Sequence, residues 1–389
     1  MRFTSSYAVF RAEPGEEDLA RARYLAREGH QAAAEKEYRE ILERHPVLPA
    51  GWIELFELLR AQGRHQEALE AAELAAANLG PEAAMPQALR GAALAELGRT
   101  REALGALEKA LERDGNLALA WHELGYAAYK LGEYPRALLA LDRAFMLEPH
   151  TDTLMLRGRI LREAGQYEAA EVAFEGAIQA ADYDIPRREA ERENLVTRRA
   201  ASLGGRKPRD FTPRQRAFMQ LGTVVVDPGS IPSIELPLSF ARCHAAVPEL
   251  IAGAAWRPAV VAAATAADAH LAAVIARGLG VPVAPVAALD PADQPLMVTE
   301  YNNGADEWTK HAARFERWHA GYTFALAQSP AALDPADVAG RVGALDPELV
   351  RAAAEAARRS APLEAPDTAE ALSLLMSPMA PWRRRLSAR

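Results

Sequence analysis

A repeat of about 34 residues runs through the first half of the 389-residue chain, and it restricts the fold more than any other feature. It is marked by five alanines spaced 34, 35, 34 and 33 residues apart: Ala34, Ala68, Ala103, Ala137 and Ala170. A glycine lies five residues before each alanine: Gly29, Gly63, Gly98, Gly132 and Gly165. This period predicts a stack of two-helix units, because each unit buries its apolar face only against its neighbours. The glycines are expected to end the first helix of each unit in the left-handed conformation.

The fourth unit carries the most complete version of the repeated motif. Its characteristic residues are Trp121, Leu124, Gly125, Ala128, Ala137, Leu141, Ala144 and Pro149. With Leu-Gly on the first helix, small residues on the second and a proline at the exit, the motif resembles the tetratricopeptide repeat (TPR). Ala128 departs from the aromatic residue that this family has at that position. The resemblance covers about residues 15–184 and implies an α-solenoid of five helical hairpins.

The resemblance also implies where a partner binds. In TPR proteins the first helix of each hairpin lines the concave surface, and its interior positions contact the partner. In this chain those positions are Arg23, Arg27, Glu57, Arg60, Glu96, His122, Tyr126, Tyr129, Lys130, Arg159 and Arg162, and all except the two glutamates are the predicted partner-binding residues. Because most of them are basic, the groove is expected to attract an acidic or carboxylate-ended peptide of another protein. The alternative is a mixed, solvated helix surface that binds nothing.

The charge balance argues against nucleic acid as a partner. The net charge is −8, and residues 1–200 carry 26 basic and 34 acidic side chains, so neither half has a basic excess. Cys243 is the single cysteine, which excludes an intramolecular disulfide and favours a reducing, cytoplasmic location. The most apolar stretch, 256–289, is interrupted by charged residues and prolines and is not expected to span a membrane. No pattern predicts a cofactor or a metal site, and the oligomeric state is left open.

Composition and turn residues divide the chain into four parts. Gly204, Gly205 and Pro208 interrupt helix formation and predict a linker. A polar, Arg- and Glu-rich segment before them, 186–201, is expected to form a helix that caps the repeats. The predicted parts are an N-terminal extension (1–14), five repeats with the capping helix (15–200), the linker (201–210) and a smaller α/β domain with a helical C-terminal part (211–389).

The α/β prediction rests on apolar runs that alternate with helix signals. The run Ala259–Ala264 is followed by a helix that ends at Gly278 or Gly280, and then by a second apolar run, Val281–Leu289. Strand, helix and strand in this order predict a right-handed βαβ unit. The run Pro295–Tyr301 is expected to add a further strand.

The flanking segments are assigned in the same way. Thr212 and Gln215 predict a capped helix start, Thr223–Val226 a strand that Ile234–Leu238 pairs with, and Ser239–Gly253 a helix. After Asn303 the chain is expected to be helical, beginning with an aromatic-rich helix over residues 305–327. Three aspartates mark further helix starts: Asp334, Asp346 and Asp367.

Polar side chains follow the predicted strands and form a candidate ligand site. They are Thr265, Asp268, Asp290, Glu300, Asn302 and Asn303. Ligands of open α/β sheets bind beyond the carboxyl ends of the strands, so these groups could converge on a small polar molecule. The alternative explains them locally: Thr265 and Asp268 cap a helix, and the remaining residues form turns.

Two classes of function remain open. The first is an interaction scaffold or adaptor that holds a partner peptide in the TPR groove, and the absence of a catalytic motif favours it. The second is an enzyme or a small-molecule sensor whose α/β domain binds a polar ligand at the strand ends, with the repeats as a recruiting module. A third and weaker hypothesis is a nucleic-acid-associated regulator that uses the basic linker and the C-terminal arginines.

Overall fold

The computed structural model describes a chain of two compact units, which cover residues 1–193 and 194–389. The residues described are 15, 17–226, 236–254, 257–302, 306–318, 322–328, 336–342, 347–359, 368–377 and 379. The predicted N-terminal extension (1–14) and the candidate ligand residue Asn303 lie outside them, as do the C-terminal arginines.

The first unit consists of consecutive antiparallel helical hairpins. The paired helices are α1 (Leu19–Arg27) with α2 (Gln31–Arg44), α3 (Pro49–Ala61) with α4 (His65–Leu79), α5 (Ala84–Glu96) with α6 (Thr100–Arg113), α7 (Ala118–Lys130) with α8 (Tyr134–Leu147), and α9 (Thr151–Glu163) with α10 (Tyr167–Ala180). A longer helix, α11 (Asp184–Ala201), follows the last hairpin, and the division between the two units falls inside it. The predicted solenoid of five hairpins is confirmed.

The turn inside each hairpin depends on its glycine. The five predicted turn glycines have φ angles between 72° and 82°, a region that side chains with a Cβ rarely adopt. In each turn the chain reverses, and the next helix begins two residues after the glycine. The five periodic alanines are fully buried in the second helices. Both sequence signals of the repeat therefore have the structural role that their spacing predicts.

Close helix crossing accounts for Gly125, which the motif places in the fourth hairpin. A Cβ built on it would lie 2.7 Å from Leu141 Cγ and 3.2 Å from the carbonyl oxygen of Ala137. Gly91 occupies the same position in the third hairpin, where a Cβ would lie 2.5 Å from Leu107 Cγ. These glycines allow α7 and α5 to contact the second helix of their own hairpin at backbone distance.

The first helices of neighbouring hairpins contact one another and form one side of the stack. Helix α3 contacts α5, α5 contacts α7, and α7 contacts α9. Among the described residues, the second helices of neighbouring hairpins are not in comparable contact. The side on which neighbours approach most closely is the inside of a curved stack, so we call the surface formed by α1, α3, α5, α7 and α9 the concave face.

The second unit contains a five-stranded parallel sheet. Its strands are β1 (Val224–Val225), β2 (Val261–Ala263), β3 (Leu296–Asn302), β4 (Tyr322–Gln328) and β5 (Val338–Val342), in the spatial order β1-β5-β4-β3-β2. All neighbouring strands are parallel. The helices are α12 (Pro213–Leu221), α13 (Leu236–Gly253), α14 (Ala269–Leu279), α15 (Asp306–Trp318), α16 (Pro347–Arg359) and α17 (Ala369–Leu375).

Helices cover both faces of this sheet. On one face, side chains of α13, α14, α16 and α17 pack with Val261, Val298 and Phe324. On the other, α15 packs with Ala262 and Met297, which are the sequence neighbours of the first set. Successive strand residues thus face opposite helical layers, and burial on both faces is typical of parallel sheets.

The strand predicted over 281–289 was wrong. This segment forms a single parallel bridge, between Val283 and Val261, and then a 3₁₀ turn over Val286–Ala288. Pro282 and Pro285 lack the N–H that a ladder requires, which limits pairing to one residue. The strand that pairs with β2 along its length is β3, where a further strand was expected.

The helical prediction for the C-terminal part was also wrong in two places. The expected helix over 305–327 ends at Trp318, and its last six residues, 322–327, belong to the central strand β4. Strand β5 follows Asp334, where a helix start was predicted, although Asp334 itself lies outside the described residues. A short apolar run such as YTFALAQ fits a buried strand and a buried helix equally well. In addition, the strand predicted over 234–238 was wrong, because 236–238 belong to α13.

Candidate functional site

The concave face carries all nine predicted groove residues, distributed over four of its helices. Arg23 and Arg27 lie on α1, Arg60 on α3, and Arg159 and Arg162 on α9. Helix α7 supplies the others, which are His122, Tyr126, Tyr129 and Lys130. With an imidazole, two phenols and an ammonium group on one helix, α7 is the chemically richest part of the face.

At the N-terminal end of the concave face, Arg23 is paired with a carboxylate of the next hairpin. Its guanidinium donates to both oxygens of Glu54 at 2.6–3.0 Å. The Tyr38 hydroxyl donates to the same carboxylate at 3.0 Å. Burial and the Glu54 charge raise the pKa of Tyr38, which keeps its hydroxyl a donor. Arg27 lies one turn further along α1 and is exposed.

In the middle of the face, one buried guanidinium joins three first helices. Arg60 of α3 donates to Glu123 of α7 at 2.7 Å and to Glu96 of α5 at 3.2 Å. Glu57, one turn before it, lies 3.5 Å away. The Glu123 side chain is fully buried, and that of Arg60 is 6% exposed. Arg60 therefore connects the hairpins internally and offers little surface to a partner.

An excess of carboxylates surrounds Arg60, and Glu57 shows the consequence. Burial is the largest influence and raises the pKa of Glu57 to about 7, the nearby Glu123 charge adds to this, and Arg60 opposes it. A carboxyl group with this pKa is partly protonated at neutral pH.

Tyr126, Tyr129 and Lys130 form a partly exposed polar and aromatic cluster at the C-terminal end of α7. Tyr126 donates to Glu96 at 3.2 Å, and the Lys130 ammonium lies 5.1 Å from the centre of the Tyr126 ring. Lys130 also donates to the Ala95 carbonyl oxygen at 3.3 Å. The ring of Tyr129 is half-buried and tilted against that of Tyr134 at 6.0 Å.

His122 is buried, which corrects its expected position in contact with a partner. Only 1% of the residue is exposed, and Nδ1 lies 3.0 Å from the Thr153 hydroxyl of α9. Burial is the main influence that lowers the pKa of His122, so the ring is neutral at physiological pH. His122 therefore packs α7 against α9.

At the C-terminal end of the face, Arg159 and Arg162 both bind carboxylates of α11. Arg159 Nε donates to Glu193 Oε1 at 3.2 Å, and Arg162 donates to Glu193 Oε2 at 2.6 Å. Arg159 also donates to Glu189 at 2.8 Å. Burial acts to raise the pKa of Glu193, but Arg162 and Arg159 outweigh it and lower the pKa.

The basic character expected of the groove is thus matched by carboxylates of adjacent helices. Basic residues in such ion pairs are Arg23, Arg60, Lys130, Arg159 and Arg162. The carboxylates were not predicted as part of the face: Glu54, Glu123, Glu189 and Glu193. They come from a different hairpin or from α11, 30 to 63 residues away from the cation they bind. A spacing of 30 or 31 residues, about one repeat, separates Glu54, Glu189 and Glu193 from the arginines they bind, and this is the signal that could have found those three.

In the second unit, Asp268 is occupied by hydrogen bonds within the protein. Its Oδ2 accepts from the backbone N–H and hydroxyl of Thr265, which forms the predicted capping box. Its Oδ1 accepts from the Thr299 hydroxyl and the Glu300 N–H. Asp268 is buried, so it fastens the turn after β2 to the middle of β3. Thr265, Asp268 and Glu300 do lie together, and the hydrogen bonds that Asp268 accepts explain this arrangement without a ligand.

The remaining candidate ligand residues lie elsewhere. Asn302 is buried, and its side-chain amide donates to Gln328 of β4 at 3.4 Å. Asp290 is exposed and accepts from the Ala292 N–H at 2.7 Å, which is turn geometry. Local hydrogen bonds therefore account for these side chains without a ligand.

The described part of the chain contains neither a metal-binding group nor a membrane-spanning helix. No group of three or more His, Cys, Asp or Glu side chains there is arranged to hold a metal ion. No described helix combines the length and the apolar character needed to cross a membrane.

Comparison with known proteins assigns two of the hairpins directly. Models of the tetratricopeptide repeat match residues 118–151 and 151–183, which contain the α7–α8 and α9–α10 hairpins. No curated protein sequence matches the chain. TPR proteins are in general scaffolds for protein interactions.

Several solved structures resemble part of the chain. A thermophilic TPR protein of Thermus thermophilus is 20% identical over 46% of this chain and 99% of its own, with a TM-score of 0.42. PilW, a widely conserved type IV pilus biogenesis factor, is 19% identical over 50% of this chain and 88% of its own, with a TM-score of 0.41. YrrB, a TPR protein with an unusual peptide-binding site, is 20% identical over 44% of this chain and 88% of its own, with a TM-score of 0.30.

Five hairpins in one register, turn glycines and buried alanines at the repeat period, and two family matches within that register lead to one conclusion. Residues 118–183 of this chain consist of tetratricopeptide repeats, and three further hairpins of the same kind precede them.

Proposed function

We propose that the first unit holds an extended segment of another protein along its concave face, so that the chain acts as a scaffold or adaptor. The observation that carries this proposal is the contact between successive first helices, which gives one uninterrupted surface from α3 to α9. A continuous face with partly exposed side chains suits a peptide that crosses several hairpins.

The partner is expected to contact the cluster of Tyr126, Tyr129 and Lys130 first. Tyrosine with a neighbouring cation is typical of the residues that dominate interface energetics. Both tyrosines are half-buried, so each ring is already held by the protein and loses little conformational entropy on binding.

A finer proposal concerns the charge of the partner. An acidic peptide fits the exposed Arg27 and the 38%-exposed side chain of Arg159. It does not fit Arg60, whose own side chain is buried against Glu123. We therefore place the acidic preference at the two ends of the concave face, and we expect no charged contact between the partner and Arg60 in its middle.

Site-specific photo-crosslinking tests the proposed function. A photoreactive phenylalanine at Tyr129 is expected to crosslink a partner in the cells of origin, whereas the same residue at Leu139 is not. Leu139 is the matched control, because it lies on the second helix of the same hairpin and is 71% exposed. Tyr129→Ala should then weaken the identified partner about tenfold or more, and Leu139→Ala should not. Crosslinks from position 139 alone would contradict the proposal.

The second unit is assigned a structural or recognition role in this proposal. The candidate ligand residues Asp268 and Asn302 make hydrogen bonds within the protein, which favours the scaffold over the enzyme or sensor alternative. The cytoplasmic location is proposed from the single cysteine.

A further inference from the structure

One carboxylate at the C-terminal end of the concave face is held by two arginines. Each oxygen of Glu193 accepts from a different guanidinium, Oε1 from Arg159 at 3.2 Å and Oε2 from Arg162 at 2.6 Å. Two cations that converge on the two oxygens of one carboxylate reproduce the arrangement that proteins use to recognise acidic ligands.

The two arginines are held in place by more than Glu193. The Arg162 side chain is 11% exposed, and its guanidinium lies 5.7 Å from the centre of the Phe174 ring of α10. Arg159 makes a second ion pair, with Glu189 at 2.8 Å. The cationic pair is therefore largely preorganised, which lowers the entropic cost of binding a carboxylate.

The carboxylates at this end differ from those in the middle of the face. Glu123 is fully buried, whereas Glu189 and Glu193 keep 56% and 20% of their side chains exposed. They also belong to α11, which follows the last hairpin and is not part of one. A carboxylate that keeps some access to water can leave its cation at a lower cost than the fully buried Glu123, because water solvates it again.

We infer that Arg159 and Arg162 form a binding site for a carboxylate of an acidic partner peptide, and that Glu189 and Glu193 of α11 are its built-in competitors. The inference rests on the proposed function, since it names the partner chemistry and the regulation at one end of the same face. A tethered carboxylate acts at high effective concentration, so it reduces the apparent affinity for a free acidic peptide.

A labelled hexaglutamate peptide is the probe for this site, with hexaglutamine as the uncharged control peptide. Binding to the full chain is measured by fluorescence anisotropy. Glu189→Gln with Glu193→Gln is expected to raise hexaglutamate affinity about tenfold, because the competitors lose their charge while their shape is kept. The gain should shrink as salt increases, since exposed charges are screened over about 8 Å at physiological ionic strength.

The control variant removes the same number of charges far from the site. Glu70→Gln with Glu73→Gln changes two exposed carboxylates of α4 and should leave hexaglutamate affinity unchanged. Adding Arg162→Gln to the α11 double variant should abolish the gain. The inference is overturned if the α11 variant binds no tighter than the α4 variant, or if the gain survives Arg162→Gln.

These outcomes separate the inference from the function on which it rests. Circular dichroism confirms that each variant is folded before binding is compared. If position 129 crosslinks a partner but the α11 variant binds hexaglutamate no more tightly than the unmodified protein, the inferred carboxylate site is wrong and the concave face remains the binding surface. Should position 129 capture nothing beyond the Leu139 control, the proposed function is wrong as well.

Discussion

At the residue scale, the repeats contain two kinds of position that require glycine, and the physical reason for the requirement differs between them. The turn glycines, such as Gly132, have open space around the missing Cβ and are required by their positive φ. Gly125 has ordinary helical geometry and is required because Leu141 and the Ala137 backbone occupy the space of a Cβ. Only the second kind reports on how two helices pack.

Gly125→Ala is therefore expected to destabilise the protein by about 1–3 kcal/mol, since the added methyl group overfills a close helix crossing. Gly105→Ala is the matched control, because Gly105 also lies in a helix of the repeats but has nothing within 4 Å of its missing Cβ. That control should be neutral or stabilising by up to about 1 kcal/mol. Urea denaturation of both variants measures the difference, and equal effects would contradict the packing explanation.

Glu57 predicts a pH dependence of stability. Its folded pKa of about 7 lies above the ordinary value of 4.5, so the folded protein binds more protons than the unfolded chain between these values. The contribution of Glu57 to stability is thus present below about pH 4.5 and is lost as the pH rises through about 7. Glu57→Gln should stabilise the protein on the order of 1–3 kcal/mol at pH 8 and have little effect at pH 4. Thermal unfolding at both pH values tests this, and a pH-independent effect would refute it.

At the element scale, the first helices are connected by charge as well as by apolar packing. Arg60 joins α3, α5 and α7, and its carboxylate partners come from the helices that follow it. The link has a fixed geometry because Glu123 is fully buried and has no access to water. Such a buried pair is costly to break from one side, although an apolar replacement of both partners is often tolerated.

Arg60→Met should accordingly destabilise the protein by about 3–5 kcal/mol, because it leaves Glu123 buried without its guanidinium. The double variant Arg60→Met with Glu123→Met should recover most of this loss. Chemical denaturation of the single and double variants measures the coupling between the two residues. Additive losses in the double variant would show that Arg60 acts through packing alone.

Helices were easier to predict than strands. The hairpins could be predicted from the repeat period. Alanine recurs at buried positions that exclude a larger side chain, and glycine recurs at turn positions whose positive φ disfavours a residue with a Cβ. Helix α12 and its capping box follow from Thr212 and Gln215, which interact locally. Strand β4 could not be distinguished from a helix by its own residues. Its hydrogen bonds are made with β3 and β5, which are separate segments of the sequence, so the residues of β4 do not reveal this pairing.

At the scale of the whole molecule, the sequence by itself determined that residues 15–184 form stacked two-helix units, because the residues that make a hairpin lie within one period. It also assigned the cations of the predicted groove to the first helices of the hairpins. Only the tertiary structure decided what those cations contact. Glu54, Glu123 and Glu193 reach them from other helices, and no local pattern pairs two charges across 31 to 63 residues. For the same reason, the five-stranded sheet could be recognised only in the tertiary structure. Strand pairing is a long-range contact, and the residues of one strand do not determine which other strand it pairs with.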